Sequence, residues 1–225
     1  MSNTNEKLIQ LEIAVLAEND KVARENREMF NKKNMLVLNL VSSPGSGKTT
    51  LLCETIKKLM GKVSMTVIEG DQQTVNDAER IRSTGCKALQ INTGEGCHLE
   101  ADMIKTALDT LQPEEKSILF IENVGNLVCP AAFDLGEECK VVVLSVTEGE
   151  DKPIKYPDMF KASKVMLLNK IDLLPYVNFD VDKCKEYAKR VNPDIEIIEL
   201  SSTKDIGFEQ WTNWLLQNLS KKQSA

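Results

Sequence analysis

Met35-Leu36-Val37-Leu38-Asn39-Leu40-Val41, then Ser42-Ser43-Pro44-Gly45-Ser46-Gly47-Lys48-Thr49-Thr50, then Leu51-Leu52-Cys53-Glu54-Thr55-Ile56-Lys57-Lys58-Leu59 is the run that decides the fold. An apolar strand passes through a tight glycine loop into an amphipathic helix, the context a phosphate-binding loop requires. Glycines let backbone N–H groups turn toward an anion with no Cβ in the way. The helix that follows adds the positive end of its dipole. Gly45, Ser46, Gly47, Lys48, Thr49 and Thr50 are therefore the expected cradle. Lys48 is expected to reach the β- and γ-phosphates, and the Thr49 hydroxyl to ligate Mg²⁺. Ser42 stands where the GxxxxGK[ST] pattern has its first glycine. A glycine-rich surface turn ahead of a helix is the bland alternative, and the strand before the loop argues against it.

Working outward, apolar β-rich runs alternate with helical ones. Strands are expected at 35–41, 63–69, 87–92, 117–122, 140–146, 164–168 and 195–200, and helices at 48–60, 74–84, 98–111, 180–191 and 206–219. Runs such as Ile118-Leu119-Phe120-Ile121 and Val141-Val142-Val143-Leu144 suit strands buried on both faces. The pattern predicts an α/β doubly wound domain with a mostly parallel sheet, whose ligands bind beyond the carboxyl ends of the strands. Residues 8 to 30 read as one helix without glycine or proline, joined by the polar Asn31–Asn34. The expected division is an N-terminal helical extension at 1–34 and the main domain at 35–225.

Of the 225 residues, 42% are hydrophobic and 28% charged, as in a soluble globular protein. A net charge of −6 argues against a general nucleic-acid surface. No apolar stretch approaches the ~20 residues of a membrane span, and the first residues lack a signal-peptide core, so a cytoplasmic location is expected. The scatter of the six cysteines argues against a disulfide framework.

Asn169-Lys170-Ile171-Asp172 follows the strand Val165–Leu168. This NKxD pattern suits guanine: a carboxylate can accept from both N1–H and the exocyclic amine, a donor pair adenine lacks. Lys170 can lay its stem along the base. An ordinary polar turn is the alternative reading of those four residues. Ser201 and Ser202, after the last strand, sit where a second guanine-contacting loop is expected. Glu122-Asn123-Val124-Gly125 follows another strand: Glu122 takes the place of the carboxylate that assists Mg²⁺, and Gly125 is free to turn its N–H toward a γ-phosphate. Asp71, at a strand end, is favoured for the metal. Asp77 reads equally well as a metal or water-positioning group and as a helix-start carboxylate. Lys48, Thr49, Asp71, Glu122 and Gly125 make up the expected catalytic set. No glutamine follows Gly125 to orient water, so slow intrinsic hydrolysis is expected, completed by a partner or second subunit.

His98, the chain's single histidine, directly follows Cys97 where a strand ends and a helix is expected to open. A helix N-terminus would stabilise the Cys97 thiolate. Cys129 lies four residues past Gly125. Thiolates and imidazole suit Ni²⁺ or Zn²⁺, and three ligands from one chain leave room for a fourth from a second subunit or water. A packed cysteine beside a satisfied histidine is the alternative.

From Leu36 to about Leu219 the sequence resembles the HypB family of hydrogenase-maturation GTPases. The resemblance rests on SSPGSGKTTLL (42–52), GDQQTVNDAERI (70–81), NTGEGCHLEADM (92–103), IENVGNLVCPAAFDLGE (121–137) and NKIDLLPY (169–176). It implies a SIMIBI-like P-loop GTPase domain that binds GTP/GDP with Mg²⁺. It also implies a Ni²⁺ or Zn²⁺ site of Cys97, His98 and Cys129 at the interface of a GTP-dependent homodimer. The implied activity is nickel delivery to [NiFe]-hydrogenase, with another maturation factor and the hydrogenase large subunit as partners. The sequence shows no N-terminal CxxCGC motif or His-rich tract, so the interface site alone is expected. Three alternatives stand beside this, one of them a metal-binding dimer that uses nucleotide only structurally. A urease-accessory nickel GTPase would resemble a Cys-Pro-His metal motif, whereas Cys97 and His98 are adjacent. A P-loop small-molecule kinase would usually choose ATP, against NKxD.

Overall fold

The computed structural model describes residues 2–71 and 76–224, with side chains from residue 13 onward. Seven strands form one sheet: β1 (Leu36–Ser42), β2 (Met65–Asp71), β3 (Lys87–Asn92), β4 (Ile118–Glu122), β5 (Cys139–Ser145), β6 (Ser163–Asn169) and β7 (Glu196–Glu199). Their order is β3-β2-β4-β1-β5-β6-β7. Every pairing is parallel, so the sheet is wholly rather than mostly parallel. A parallel sheet needs helical crossovers on its faces, and these explain why every residue of β1 and β4 is buried.

The helices are α1 (Ser2–Lys32), α2 (Lys48–Leu59), α3 (Asn76–Arg82), α4 (Ala101–Leu111), α5 (Lys152–Lys155), α6 (Pro157–Ala162), α7 (Val181–Val191) and α8 (Phe208–Ser224). The pleat sends Leu36, Leu38 and Leu40 of β1 to one side, into a core with Leu51, Leu52 and Ile56 of α2, Ile81 of α3 and Phe208, Trp211 and Leu215 of α8. Trp211 is fully buried, and its indole N–H donates to Thr55 Oγ1 at 3.0 Å. The other face carries two clusters. Met35 and Val37 pack with Phe30 of α1 and Ile104 and Leu108 of α4. Val41, Val142 and Leu144 pack with Met159 and Phe160 of α6 and Cys184 and Ala188 of α7.

Two departures from the sequence reading have physical causes. The fourth helix begins at Ala101 rather than 98, with extended Glu100 ahead of it, so Cys97 and His98 lie in a loop. The short helices α5 and α6 escaped detection because each opens on a proline-containing turn and spans too few residues for a periodic signal. Of the helix expected at 74–84, Thr74 and Val75 lie outside the described residues, as do the side chains of Leu8 and Leu11.

α1 is fastened through polar contacts as well as Phe30. Asn26 Nδ2 donates to the carbonyls of Ala101 (2.8 Å) and Leu135 (3.2 Å), and Asn19 Oδ1 accepts from Ala101 N (2.9 Å). Arg27 reaches both carboxylate oxygens of Asp134, at 2.6 and 2.8 Å. Gly136, at φ +90°, comes so near α1 that an added Cβ would lie 2.7 Å from the Ala23 carbonyl oxygen.

Candidate functional site

The carboxyl edge of the sheet gathers the motif residues. β1 ends at Ser42 and α2 starts at Lys48, and the loop between is turned by Gly45 at φ +78° and Gly47 at φ +98°. It floors a cavity of about 550 Å³ whose walls include Lys48, Glu69, Asp71, Glu122 and Lys170. Thr49, Thr50, Asp77 and Gly125 also line it. The topology explains this convergence. β4 and β5 flank β1 on opposite sides, which places the loop at the switch point where crossovers diverge.

Lys48 is buried, and its ammonium donates to Ser42 Oγ at 2.7 Å. The serine standing in for the first motif glycine thus parks the lysine. Burial pulls Lys48 below its usual pKa, opposed chiefly by the Glu122 carboxylate. Thr49 Oγ1 donates to Glu122 Oε1 at 2.8 Å, while Glu122 Oε2 is buried without a partner. Burial pushes Glu122 up to about 7, against the opposing influence of Lys48 and the Thr49 hydrogen bond. An orphaned carboxylate oxygen beside a threonine hydroxyl and a phosphate cradle is a donor set that fits Mg²⁺.

Glu69 was missed by the sequence reading. It pairs across the sheet with Glu122, is 2% exposed, and leaves Oε2 without a partner. Burial, then Glu122 and Asp71, push it up to about 8. The available signal was an acid inside the apolar strand Met65–Asp71, one residue before Gly70. Asp71 is the last residue of β2. Gly125 packs on the phosphate loop: an added Cβ would lie 3.1 Å from Pro44 Cγ.

The NKxD residues are brought to the same loop. Asn169 closes β6; its Nδ2 donates to Ser46 O at 3.0 Å, and its Oδ1 accepts from Ser202 N and Oγ at 3.2 and 2.9 Å. Asn169 therefore ties the phosphate loop to the Ser201–Ser202 loop. Lys170 adopts φ +61° and sends its ammonium to Gly45 O at 2.7 Å. Asp172 Oδ1 is buried without a partner.

The second cluster is Cys97, His98 and Cys129, whose ligand atoms all lie within 4.8 Å of one another. The two sulfurs are 2.6 Å apart as free thiols, and His98 Nδ1 is 3.5 Å from Cys97 Sγ. His98 packs against Phe133 with ring centroids 3.8 Å apart and planes tilted by 34°. Its Nε2 is buried without a hydrogen bond, 3.6 Å from Glu100 Oε1. Asn126 holds the two loops together, donating to Cys97 O at 3.4 Å and accepting from Val128 N at 2.8 Å. The expected thiolate stabilisation by a helix dipole is not borne out. α4 starts only at Ala101, and the hydrogen bond with Cys129, then burial, raise the Cys97 pKa. Burial lowers the His98 pKa and favours the neutral imidazole, the form that ligates metal. Two thiols and a neutral imidazole, one nitrogen of it orphaned, fit a borderline-soft divalent cation.

The family described as CobW/HypB/UreG, nucleotide-binding domain, matches residues 15–199. The chain is 63% identical over 209 residues to the hydrogenase maturation factor HypB of Escherichia coli K12, an alignment covering 93% of this chain and 72% of that protein. It is 44% identical to the hydrogenase/urease maturation factor HypB of Helicobacter pylori J99, over 96% of this chain and 90% of that protein. Among solved structures it is similar to HypB from Helicobacter pylori in complex with nickel. The TM-score is 0.86 at 43% identity, over 91% of this chain and 96% of that one.

Proposed function

This chain belongs to the HypB branch of the CobW/HypB/UreG nucleotide-binding family, and on that premise we propose that it is a GTP-hydrolysing metallochaperone acting in the cytoplasm. It delivers nickel during hydrogenase maturation through a GTP-dependent homodimer. Nickel is its cargo, held at Cys97, His98 and Cys129, and its partners are a further maturation factor and the hydrogenase large subunit. The residues from 35 onward form the GTPase domain, and 1–34 an extension docked on it.

The observation that carries the reading is the short chain path between the two sites. Glu122–Gly125 lies in the phosphate cavity, and Cys129, four residues on, stands beside Cys97. In the proposed cycle Lys48 leaves Ser42 for the β- and γ-phosphates, and Asn169, Lys170 and Asp172 hold guanine. Ser201 and Ser202 complete the base loop. Thr49, Glu122 and Asp71 would hold Mg²⁺, which when bound supplies charge neutralisation at the transferred phosphoryl group. Gly125, pressed on Pro44, reports whether a γ-phosphate is present. Hydrolysis is slow in the isolated subunit, since the loop that follows Gly125 holds no glutamine to orient water.

The unpartnered Asp172 oxygen favours guanine and so weighs against a kinase reading. A nucleotide competition tests it. Displacement of a fluorescent GDP by GTP at far lower concentration than by ATP supports the GTPase, and the reverse order refutes it. The Helicobacter pylori relative's name joins hydrogenase with urease. Urease as a client is therefore the second reading, separated by which apoenzyme gains nickel in a reconstituted transfer.

A further inference from the structure

Asn39 is a fully buried amide in the middle of the central strand, between Leu38 and Leu40. Nothing in the proposed nucleotide or metal chemistry uses it. It touches neither the phosphate cavity nor the thiol–imidazole cluster, yet it joins Asn123 of that cavity to the Glu137–Lys140–Phe133 side of the cluster, while Asn123 reaches Leu99 directly. Asn39 Oδ1 accepts from Asn123 Nδ2 at 3.2 Å. Asn123 is the residue after Glu122, and its own Oδ1 accepts from Val124 N at 3.0 Å and from Leu99 N at 3.2 Å. Leu99 directly follows His98. On the other side, Asn39 Nδ2 donates to Glu137 Oε1 at 3.1 Å. Glu137 Oε1 also accepts from Lys140 Nζ at 2.8 Å, and its Oε2 accepts from Leu135 N at 2.7 Å. Lys140, the register partner of Asn39 on β5, donates in turn to the carbonyl of Phe133, whose ring packs against His98.

The chain thus runs from the nucleotide-sensing loop to both sides of His98: through Leu99 N on one side, and through Glu137 and Lys140 to Phe133 on the other. Asn39, Asn123, Glu137 and Lys140 are each 8% exposed or less. Buried polar groups of this kind are a poor source of stability, since well-packed apolar residues in their place are often neutral or better. A connected buried network instead restricts the arrangements its members can adopt together. A shift of Asn123 therefore cannot leave Leu99 and Glu137 where they were without breaking a buried hydrogen bond.

We infer that Asn39 is a positioning residue that couples nucleotide state to the metal ligands, holding the Glu122–Gly125 loop and the loops of His98 and Phe133 in one register. The inference rests on the nucleotide-gated reading above and adds to it the physical route of the gate. The readout is the ratio of Ni²⁺ dissociation constants with GDP and with a non-hydrolysable GTP analogue, measured on the full chain by competition with a chromophoric chelator. Coupling between sites is typically about 5–150-fold. We expect a wild-type ratio in that range, reduced about 3-fold or more in Asn39→Ala because only the direct Asn123–Leu99 hydrogen bond remains, with guanine-nucleotide affinity unchanged within about 3-fold. Asn39→Ser, which keeps a polar group but is too short to reach both neighbours, serves where the alanine variant fails to fold and is expected to lower the ratio equally. A purely structural role would weaken nickel alike with both nucleotides and leave the ratio intact; that result overturns the inference alone. A wild-type ratio of one overturns the nucleotide gate and the relay with it.

Discussion

Replacing Glu69 by glutamine should remove a pH dependence of stability that the wild type carries in its nucleotide- and Mg²⁺-free form. Glu69 is held at about 8 in the folded chain against an ordinary 4.5, by burial first and then by Glu122 and Asp71. Between these values the folded state keeps a proton that the unfolded state has lost. Unfolding free energy therefore falls as pH rises from 4.5 to 8, is unaffected by this group below 4.5, and carries the whole penalty above 8. At about 1.4 kcal/mol per pH unit the upper bound is about 5 kcal/mol. Glu122, its cross-strand neighbour held at about 7, ionises in the same window. Sharing the repulsion with it brings the part removed by Glu69→Gln to about 2–3 kcal/mol. The assay is urea unfolding at pH 5 and pH 8, comparing the drop in wild type with that in the variant. An equal drop in both would refute the assignment of a buried proton to Glu69. Saturating Mg²⁺ and GDP should flatten the wild-type curve, because a bound cation favours the ionised carboxylates.

Four further substitutions have outcomes set by the geometry. Asp172→Ala should lower GDP affinity by about 10²–10⁴-fold, the worth of two charge-assisted hydrogen bonds at about 1.5–3 kcal/mol each, with inosine diphosphate losing less than GDP; equal losses for both would refute a contact with the exocyclic amine. Cys97→Ala should abolish nickel binding at the Cys97–His98–Cys129 cluster and spare guanine nucleotides, checked by metal titration beside nucleotide titration. Gly136→Ala should destabilise the fold by about 2–4 kcal/mol through left-handed strain and collision with α1. Gly61→Ala, also at positive φ but with nothing within 4 Å of its added Cβ, should cost only about 1 kcal/mol in the same thermal melts.

The sheet was legible because parallel strands buried on both faces write themselves as unbroken apolar runs. Ile118–Ile121 and Val141–Leu144 could be nothing else at that length between turn residues. The glycine loop and the Asn169–Asp172 turn drew notice in the sequence because a nucleotide site demands fixed residue types at fixed spacing. Helix starts were harder to place. The Thr93–Glu100 stretch carries no capping signal that separates loop from helix, so Cys97 was read at a dipole it does not reach. Glu69 and Asn39 were passed over for a shared reason: each is one polar residue in an apolar strand, and only the register of the sheet reveals what it faces. Glu69 meets Glu122 across β2 and β4, and Asn39 meets Lys140 across β1 and β5. Such pairings belong to tertiary structure and leave no periodic trace in the chain.

In the proposed cycle nucleotide state governs a metal held by Cys97, His98 and Cys129. Native mass spectrometry with Ni²⁺, in GDP and in a non-hydrolysable GTP analogue, tests it most directly. A dimer carrying additional nickel only with the GTP analogue is the predicted result. A monomer with the same nickel content in both nucleotides would contradict the account.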